Sequence, residues 1–295
     1  MKHTWTLTRV RMLLALRNRA FIFFSAIMPL AFLFLYCSVF ARGQPQQAGY
    51  MMPAVLALTV MGSFWGLSMQ LVMFREQGIL RRFRLAPIHP GALLASSIVS
   101  TYLLTLPTLF AELAIAKWFY RVPSFGNLWG VFALLSLGSV AFASFGLIVA
   151  SVTNSMQETT VINQAIWFLF IFLSGATIPL PFLPGWVQRI GAFLPATHLV
   201  TGLQYVFVAA VSLLSVLPEV VALVGGAVMA YVVSLKLFRW EPEERITRRA
   251  KGVAAAVVIP FLLLGVWENA RGTRRAGTQA IYDAVQKRLA PGNPR

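Results

Sequence analysis

The sequence predicts an all-α polytopic membrane protein, on three observations. Of its 295 residues 58% are hydrophobic and 12% charged, against about a quarter charged in a soluble domain, and mean hydropathy is +0.73. Several apolar runs exceed the ~18–20 residues that cross a ~30 Å hydrocarbon core. No succession of ~10-residue alternating segments, the mark of a membrane β-barrel, is visible. The net charge of +16 sits between the apolar runs rather than on one soluble face. Anionic lipid and the retention of basic loops on the cytoplasmic side account for it, and no nucleic acid is expected.

Residues 1–19 come first. Trp5, Leu7, Val10, Leu13, Leu14 and Leu16 interleave with Arg9, Arg11 and Arg17, which predicts an amphipathic helix on the inner membrane surface. Six spans follow, at 20–41, 50–74, 92–118, 129–152, 160–180 and 213–238, within a permease-sized domain covering 20–240. Val39-Phe40-Ala41 has the small residues of a cleavage site. The run from Ala20 to Phe40 is nonetheless longer than the about 7–15 residues of a signal peptide, so an uncleaved first span is expected. The single cysteine, Cys37, lies in that run and reads as a small buried hydrophobe.

Between the second and third spans lies a basic hairpin, 75–90, containing Arg75, Glu76, Gly78, Ile79, Leu80, Arg81, Arg82, Phe83, Arg84 and Leu85. A short charged segment there has no use in lipid, and is suited to touching something soluble. Ser155 and Glu158 have capping-box spacing before the fifth span.

After the fifth span, Ser174 and Gly175 lead into Pro179, Pro181, Pro184, Trp186 and Pro195. Four prolines forbid a straight helix, yet the stretch stays apolar. Two readings stand for 175–208: a pair of short re-entrant or interfacial helices capping the outer mouth, or an ordinary apolar loop. Small residues recur in the second span (Gly62, Gly66), the fourth (Ser139, Ala143, Gly146, Ala150) and the sixth (Ala222, Gly226, Ala230, Ser234). They let helices approach closely, and packing within one chain is the default reading.

The C-terminal extension, 241–295, holds an apolar run at 253–267. Apolar side chains fill it on every side, which is wrong for a surface helix, so a short seventh span is expected. That would place the basic tail (Arg271, Arg274, Arg275, Lys287, Arg288, Arg295) outside, against the pull of its own charge.

With a cytoplasmic N-terminus the inner segments carry fifteen Lys and Arg and the outer loops four (Arg42, Lys117, Arg121, Arg189). This predicts 75–90 cytoplasmic and 181–208 external.

The chemistry of catalysis is sparse. Nine acids and three histidines form no carboxylate pair, HExxH or Cys/His cluster, and no GxxxxGK[ST] phosphate loop is present. An enzyme is not expected, nor any cofactor or metal in this chain. Glu112, inside the third span, is a candidate for meeting a cationic part of a substrate. Snorkelling outward or pairing with another helix is the preferred structural reading. His198 and Gln204 are weaker candidates for the substrate path. Glu219 after Pro218 reads as a helix-terminal acid. The aromatics Trp167, Phe168, Phe170, Phe172 and Phe182 suit an amphipathic substrate, but they also suit lipid.

These residues carry a family resemblance. Arg75-Glu76-Gln77-Gly78-Ile79-Leu80-Arg81-Arg82 with Pro87 resembles the cytoplasmic coupling helix of type-2 ABC transporter permeases, the group of daunorubicin-resistance-type, nodulation-factor and polysaccharide exporters. Phe172-Leu173-Ser174-Gly175 with Pro179, Leu183-Pro184, Trp186 and Pro195 resembles that family's outer re-entrant helices. The resemblance covers roughly residues 1–240 and leaves 241–295 unexplained.

It implies a six-span exporter permease working by alternating access, two permeases (a homodimer) with two ABC ATP-binding subunits, and ATP and Mg on those partners. The implied place is the bacterial cytoplasmic membrane. By this resemblance Arg75, Glu76, Gly78, Leu80, Arg81, Arg82 and Phe83 couple to the ATPase. Ser174, Gly175, Pro179, Pro184, Trp186 and Pro195 form the gate region. Amphipathic small molecules or lipid-like substrates are favoured over a lipid-linked glycan. An ion-coupled secondary transporter, the reading from another class, should carry several intramembrane acids, and Glu112 stands nearly alone.

Overall fold

The computed structural model describes residues 2–17, 22–41, 43–84, 89–241 and 248–289. Outside them lie the start of the first predicted span, Arg42, Pro87, residues 242–247 and Arg295. Regular structure among the described residues is helical: α1 (Lys2–Arg17), α2 (Met28–Phe40, entered through a π-helical turn at Phe23–Ile27), α3 (Pro45–Glu76), α4 (Ile79–Arg84), α5 (Pro90–Trp118) and α6 (Leu128–Val152). There follow α7 (Met156–Leu173), α8 (Gly185–Gly191), α9 (Pro195–Phe207), α10 (Leu217–Lys236), α11 (Arg248–Ala255), α12 (Ile259–Arg271) and α13 (Thr273–Leu289).

Five helical segments among the described residues are long and apolar enough to cross a membrane: Pro45–Glu76, Pro90–Trp118, Leu128–Val152, Leu213–Lys236 and Gly252–Arg271. The pair α8 and α9, bent by 101°, makes a sixth if taken as one broken span. The other two predicted spans take a different form. The first is a shorter apolar helix, Ser25–Phe40. Pro29 has no N–H for the Ser25 carbonyl, and Thr108 Oγ1 of α5 donates to that oxygen at 2.9 Å.

The fifth predicted span, 160–180, is shifted. Its helix starts at Met156 and stops at Leu173, so its first turns are polar. One of those polar groups, Asn163, is buried and donates from Nδ2 to Ser68 Oγ of α3 at 2.8 Å. A polar side chain at membrane depth is affordable when a neighbouring helix satisfies it.

The centre of the bundle is α6, packed on α3 and α10, with α5 and α9 beside them. Gly146 explains the close α3–α6 crossing: a Cβ there would lie 2.4 Å from the Phe64 carbonyl oxygen, so only glycine admits it. Gly226 of α10 likewise receives the Phe261 ring of α12. Gly62 and Gly66 do not follow this pattern. A Cβ on either would meet nothing within 4 Å, so in-chain packing, the default reading, is not their use.

The largest apolar cluster runs through the bundle. A second gathers at the hairpin end from Leu67, Leu71, Phe74, Leu80, Leu93, Leu94, Ala143, Leu147 and Ala150 among others. Helix α1 packs along α5 with Thr8 and Ala15 buried and Trp5, Leu13, Leu14 and Leu16 exposed.

Candidate functional site

The hairpin end is built from helix termini. Helix α3 ends at Glu76, and the chain turns through Gln77 and Gly78. Gly78 has φ +68, a conformation that costs an L-residue about 1–2 kcal/mol and glycine nothing. The turn releases α4, whose Leu80 points into the hairpin-end core, only 1% exposed. Ile79 and Phe83 are packed partly against the same core. Arg81 and Arg82 are exposed. His89 then caps α5, its Nδ1 accepting from the Gly91 N–H at 3.0 Å.

Arg75 and Glu76 point to two neighbouring helix ends. Arg75 is 3% exposed; its Nη1 donates to the Ala150 carbonyl at 2.9 Å and its Nη2 to that of Thr153 at 2.6 Å. A second arginine, Arg239 just past α10, donates to the carbonyls of Ser151 at 3.2 Å and Thr153 at 2.7 Å and to Asn154 Oδ1 at 2.9 Å. The last carbonyls of a helix lack intrahelical donors and carry its negative dipole end, so two guanidinium groups there are favourable.

The α7 N-terminus has the opposite sign. Glu76 Oε1 accepts from the Met156 N–H at 2.8 Å. Ser155 Oγ accepts from the Glu158 N–H at 3.1 Å, the cap that its spacing predicts. Glu158 reaches back one residue further than a capping box does, to the Asn154 N–H at 2.7 Å.

Arg75 and Leu80 therefore present no surface to another chain. They lock the hairpin to the bundle, Glu76 joins it to α7, and Glu76, Gln77, Arg81 and Arg82 are exposed among the described side chains. Arg239 is the residue that sequence reasoning missed. It entered only as one of fifteen inner charges, and no local pattern announces that it meets Arg75 on a shared carbonyl.

At the opposite end lie the predicted gate residues. The Ser174 hydroxyl donates to the Phe170 carbonyl and accepts from the Ala176 N–H. Tyr36 of α2 donates to the carbonyls of Ala176 and Thr177. Gly175 has φ +84, and Pro179 leads into a 3-10 turn, Leu180–Phe182. Pro184 precedes α8, Pro195 opens α9, and Trp186 is exposed. Of the two readings held open for 175–208, the bent helix pair is the one observed.

Glu112 is fully buried. Thr59 of α3 donates to its Oε1 at 2.6 Å, so it pairs with another helix and does not snorkel. His198 is also fully buried, on α9. Neither lines an open path in this conformation, and the aromatics divide: Trp167 and Phe170 pack on Phe64, Phe168 stacks on Phe172, and Phe182 meets Tyr282.

Comparison with known proteins agrees with this architecture. The family model described as ABC-2 type transporter matches residues 2–208. YvfS of Bacillus subtilis, which bears the name of a transport permease, is 25% identical over 200 residues, 63% of this chain and 78% of YvfS. YbhR of Escherichia coli, named as a multidrug ABC transporter permease, is 26% identical over 155 residues, 50% of this chain and 41% of YbhR. YhhJ of the same organism, an inner membrane transport permease, is 26% identical over 188 residues, 63% of this chain and 48% of YhhJ.

Proposed function

Because the chain belongs to the ABC-2 type transporter family, we propose that it is the membrane-spanning permease subunit of an ATP-driven exporter. One observation carries the reading: a short helix, α4, displays Arg81 and Arg82 outward while Leu80, Arg75 and Glu76 fix it to α3, α6 and α7. A push on α4 by a soluble partner reaches three helices through the apolar contacts and helix caps already described. The partner is an ABC ATP-binding subunit that holds ATP and Mg, and this chain carries no hydrolysis of its own. A second copy of the permease completes the transmembrane part, and the open strip at Gly62 and Gly66 is available to it.

The basic hairpin end faces the cytoplasm, with the N-terminus, in a bacterial inner membrane. The fifteen-to-four division of Lys and Arg over residues 1–251 supports this orientation, and the six basic residues of the tail run against it. Residues 252–271 then form a seventh span and leave α13 outside. On that helix Val258, Ile259, Leu262, Leu263 and Val266 are exposed while Phe261 and Gly265 face α10 and Phe193, the arrangement of a helix with lipid on one side. The substrate is an amphipathic small molecule or a lipid-like one moved by alternating access, a reading that the multidrug name of YbhR supports.

The test is copurification of the tagged permease from membranes, followed by ATP hydrolysis. An ATP-binding chain should accompany it and hydrolyse ATP in a vanadate-sensitive manner, faster with an amphipathic substrate. Arg81→Glu with Arg82→Glu should weaken that association while the permease stays inserted. A permease that carries no ATP-binding chain, and that moves substrate without ATP, would refute the reading.

A further inference from the structure

Residues beyond Val208 lie outside the family match, yet α13 is seated on the part of the bundle where the backbone is most broken. It packs against the Leu180–Phe182 turn, α9 and the start of α3. Its Ile281 and Val285 are buried. The Tyr282 ring lies 5.8 Å from that of Tyr50 on α3 and 5.0 Å from that of Phe182, centre to centre. One helix thus bridges the gate segment and the far side of the same end.

The centre of this contact is polar and buried. Arg274, 6% exposed, enters between α9 and α10. Its Nη2 stands 3.0 Å from His198 Nδ1 and 3.3 Å from Glu219 Oε1, while its backbone N–H donates to Glu268. Both side-chain contacts are made by a single nitrogen. A two-pronged arginine–carboxylate pair would be firmer and more selective. A one-point contact between a guanidinium on one element and a carboxylate on another fixes register, yet it separates as a unit. The terminal-acid role expected of Glu219 is thereby supplemented, since its carboxylate has a partner 55 residues further along the chain.

We propose that Gly272–Leu289 is a latch on the gate. With Arg274 seated between Glu219 and His198, α13 holds the bent α8–α9 pair closed, and its release frees that pair to move during transport. The proposal rests on the exporter reading and on the external placement of this end.

The experiment uses full-length protein in sealed right-side-out vesicles, in a Cys37→Ser background. Thr197→Cys, a buried position on α9, reports opening through its rate of reaction with a membrane-impermeant maleimide. Combining Arg274→Met with Glu219→Gln removes both charges together, so no lone buried charge unfolds the chain. Labelling should then rise about tenfold or more, since loss of even one of the two hydrogen bonds of Arg274 Nη2 shifts an opening equilibrium by about that factor.

In a second arm, Phe182→Cys and Tyr282→Cys are joined by a short reducible cross-linker. This should abolish vanadate-induced labelling at Thr197→Cys, and reductant should restore it. Labelling unchanged by the double substitution, or undiminished by the cross-link, would overturn the latch. Labelling only from the hairpin side would overturn the latch and the assigned orientation together. Absence of an ATP-binding partner would overturn the exporter reading, while the first arm still decides the latch on the permease alone.

Discussion

Replacing Arg75 by Met removes two hydrogen bonds of unequal consequence. Thr153's carbonyl keeps its second donor, Arg239 Nη2 at 2.7 Å. Ala150's carbonyl loses its guanidinium donor, and the N–H four residues on, that of Asn154, is already held by Glu158 at 2.7 Å. A buried helix-terminal acceptor then stands without a charged donor, a loss of about 1.5–3 kcal/mol. Release from the neighbouring Arg239 charge offsets a little of it. The net destabilisation of about 1–2.5 kcal/mol corresponds to roughly 2–10 °C in melting midpoint at this chain length.

The assay is thermal melting of the detergent-solubilised permease followed by size-exclusion. Arg75→Lys keeps the charge but presents a compact ammonium in place of the planar fork, and should recover about half of the loss. Because Arg75 and Arg239 share the Thr153 carbonyl, Arg75→Met with Arg239→Gln should cost more than the two single changes summed. If Arg75→Met melts with the parent yet loses the ATP-binding subunit, the residue acts on the partner, and its assignment as a cap is refuted.

Gly78→Ala should lower the same midpoint by a few degrees, since a Cβ there meets no neighbour and the cost of about 1–2 kcal/mol is wholly backbone; Gly78→Asn should be milder. Gly146→Val should abolish the monodisperse peak, because its side chain must displace the Phe64 backbone. Glu112→Gln keeps an acceptor for Thr59 and should melt at or above the parent. Glu112→Leu strands the Thr59 hydroxyl and should melt below it by about 1–2 kcal/mol in stability. A lower midpoint for the Gln variant than for Leu would refute that account.

What was legible in the sequence was whatever depends on local pattern. Apolar run length located the long spans, prolines located the broken segment after Leu173, and the acid three residues after Ser155 located a cap. The hairpin's basic character follows from the same local reading, while its short helix was expected through the family resemblance. The sequence was silent where a residue's partner lies far along the chain. Nothing near Arg75 shows that Ala150 and Thr153 receive it, and nothing near Arg274 shows Glu219. The fifth span was misplaced because hydropathy alone discards Gln157 to Thr159, which the Ser155 and Glu76 caps help to make helical, and runs on past Leu173 into the apolar broken segment. For Glu112 the sequence left snorkelling and pairing with another helix both open, because Thr59, its partner, is an unremarkable residue of another span.

The charged contacts at the two ends of the bundle are of different kinds. At the hairpin end, side-chain charges are spent on backbone groups: Arg75 and Arg239 on the terminal carbonyls of α6, Glu76 on the first N–H of α7. Breaking these contacts exposes orphan peptide groups, which low-dielectric surroundings penalise heavily, so α3, α6, α7 and the end of α10 are expected to travel as one body. At the gate end the corresponding charges, Arg274 and Glu219, meet side chain to side chain across separate elements. Their separation leaves every helix internally bonded. On the proposed reading, a force delivered to α4 would pass through the capped end as one body and be released where contacts part without unravelling a helix.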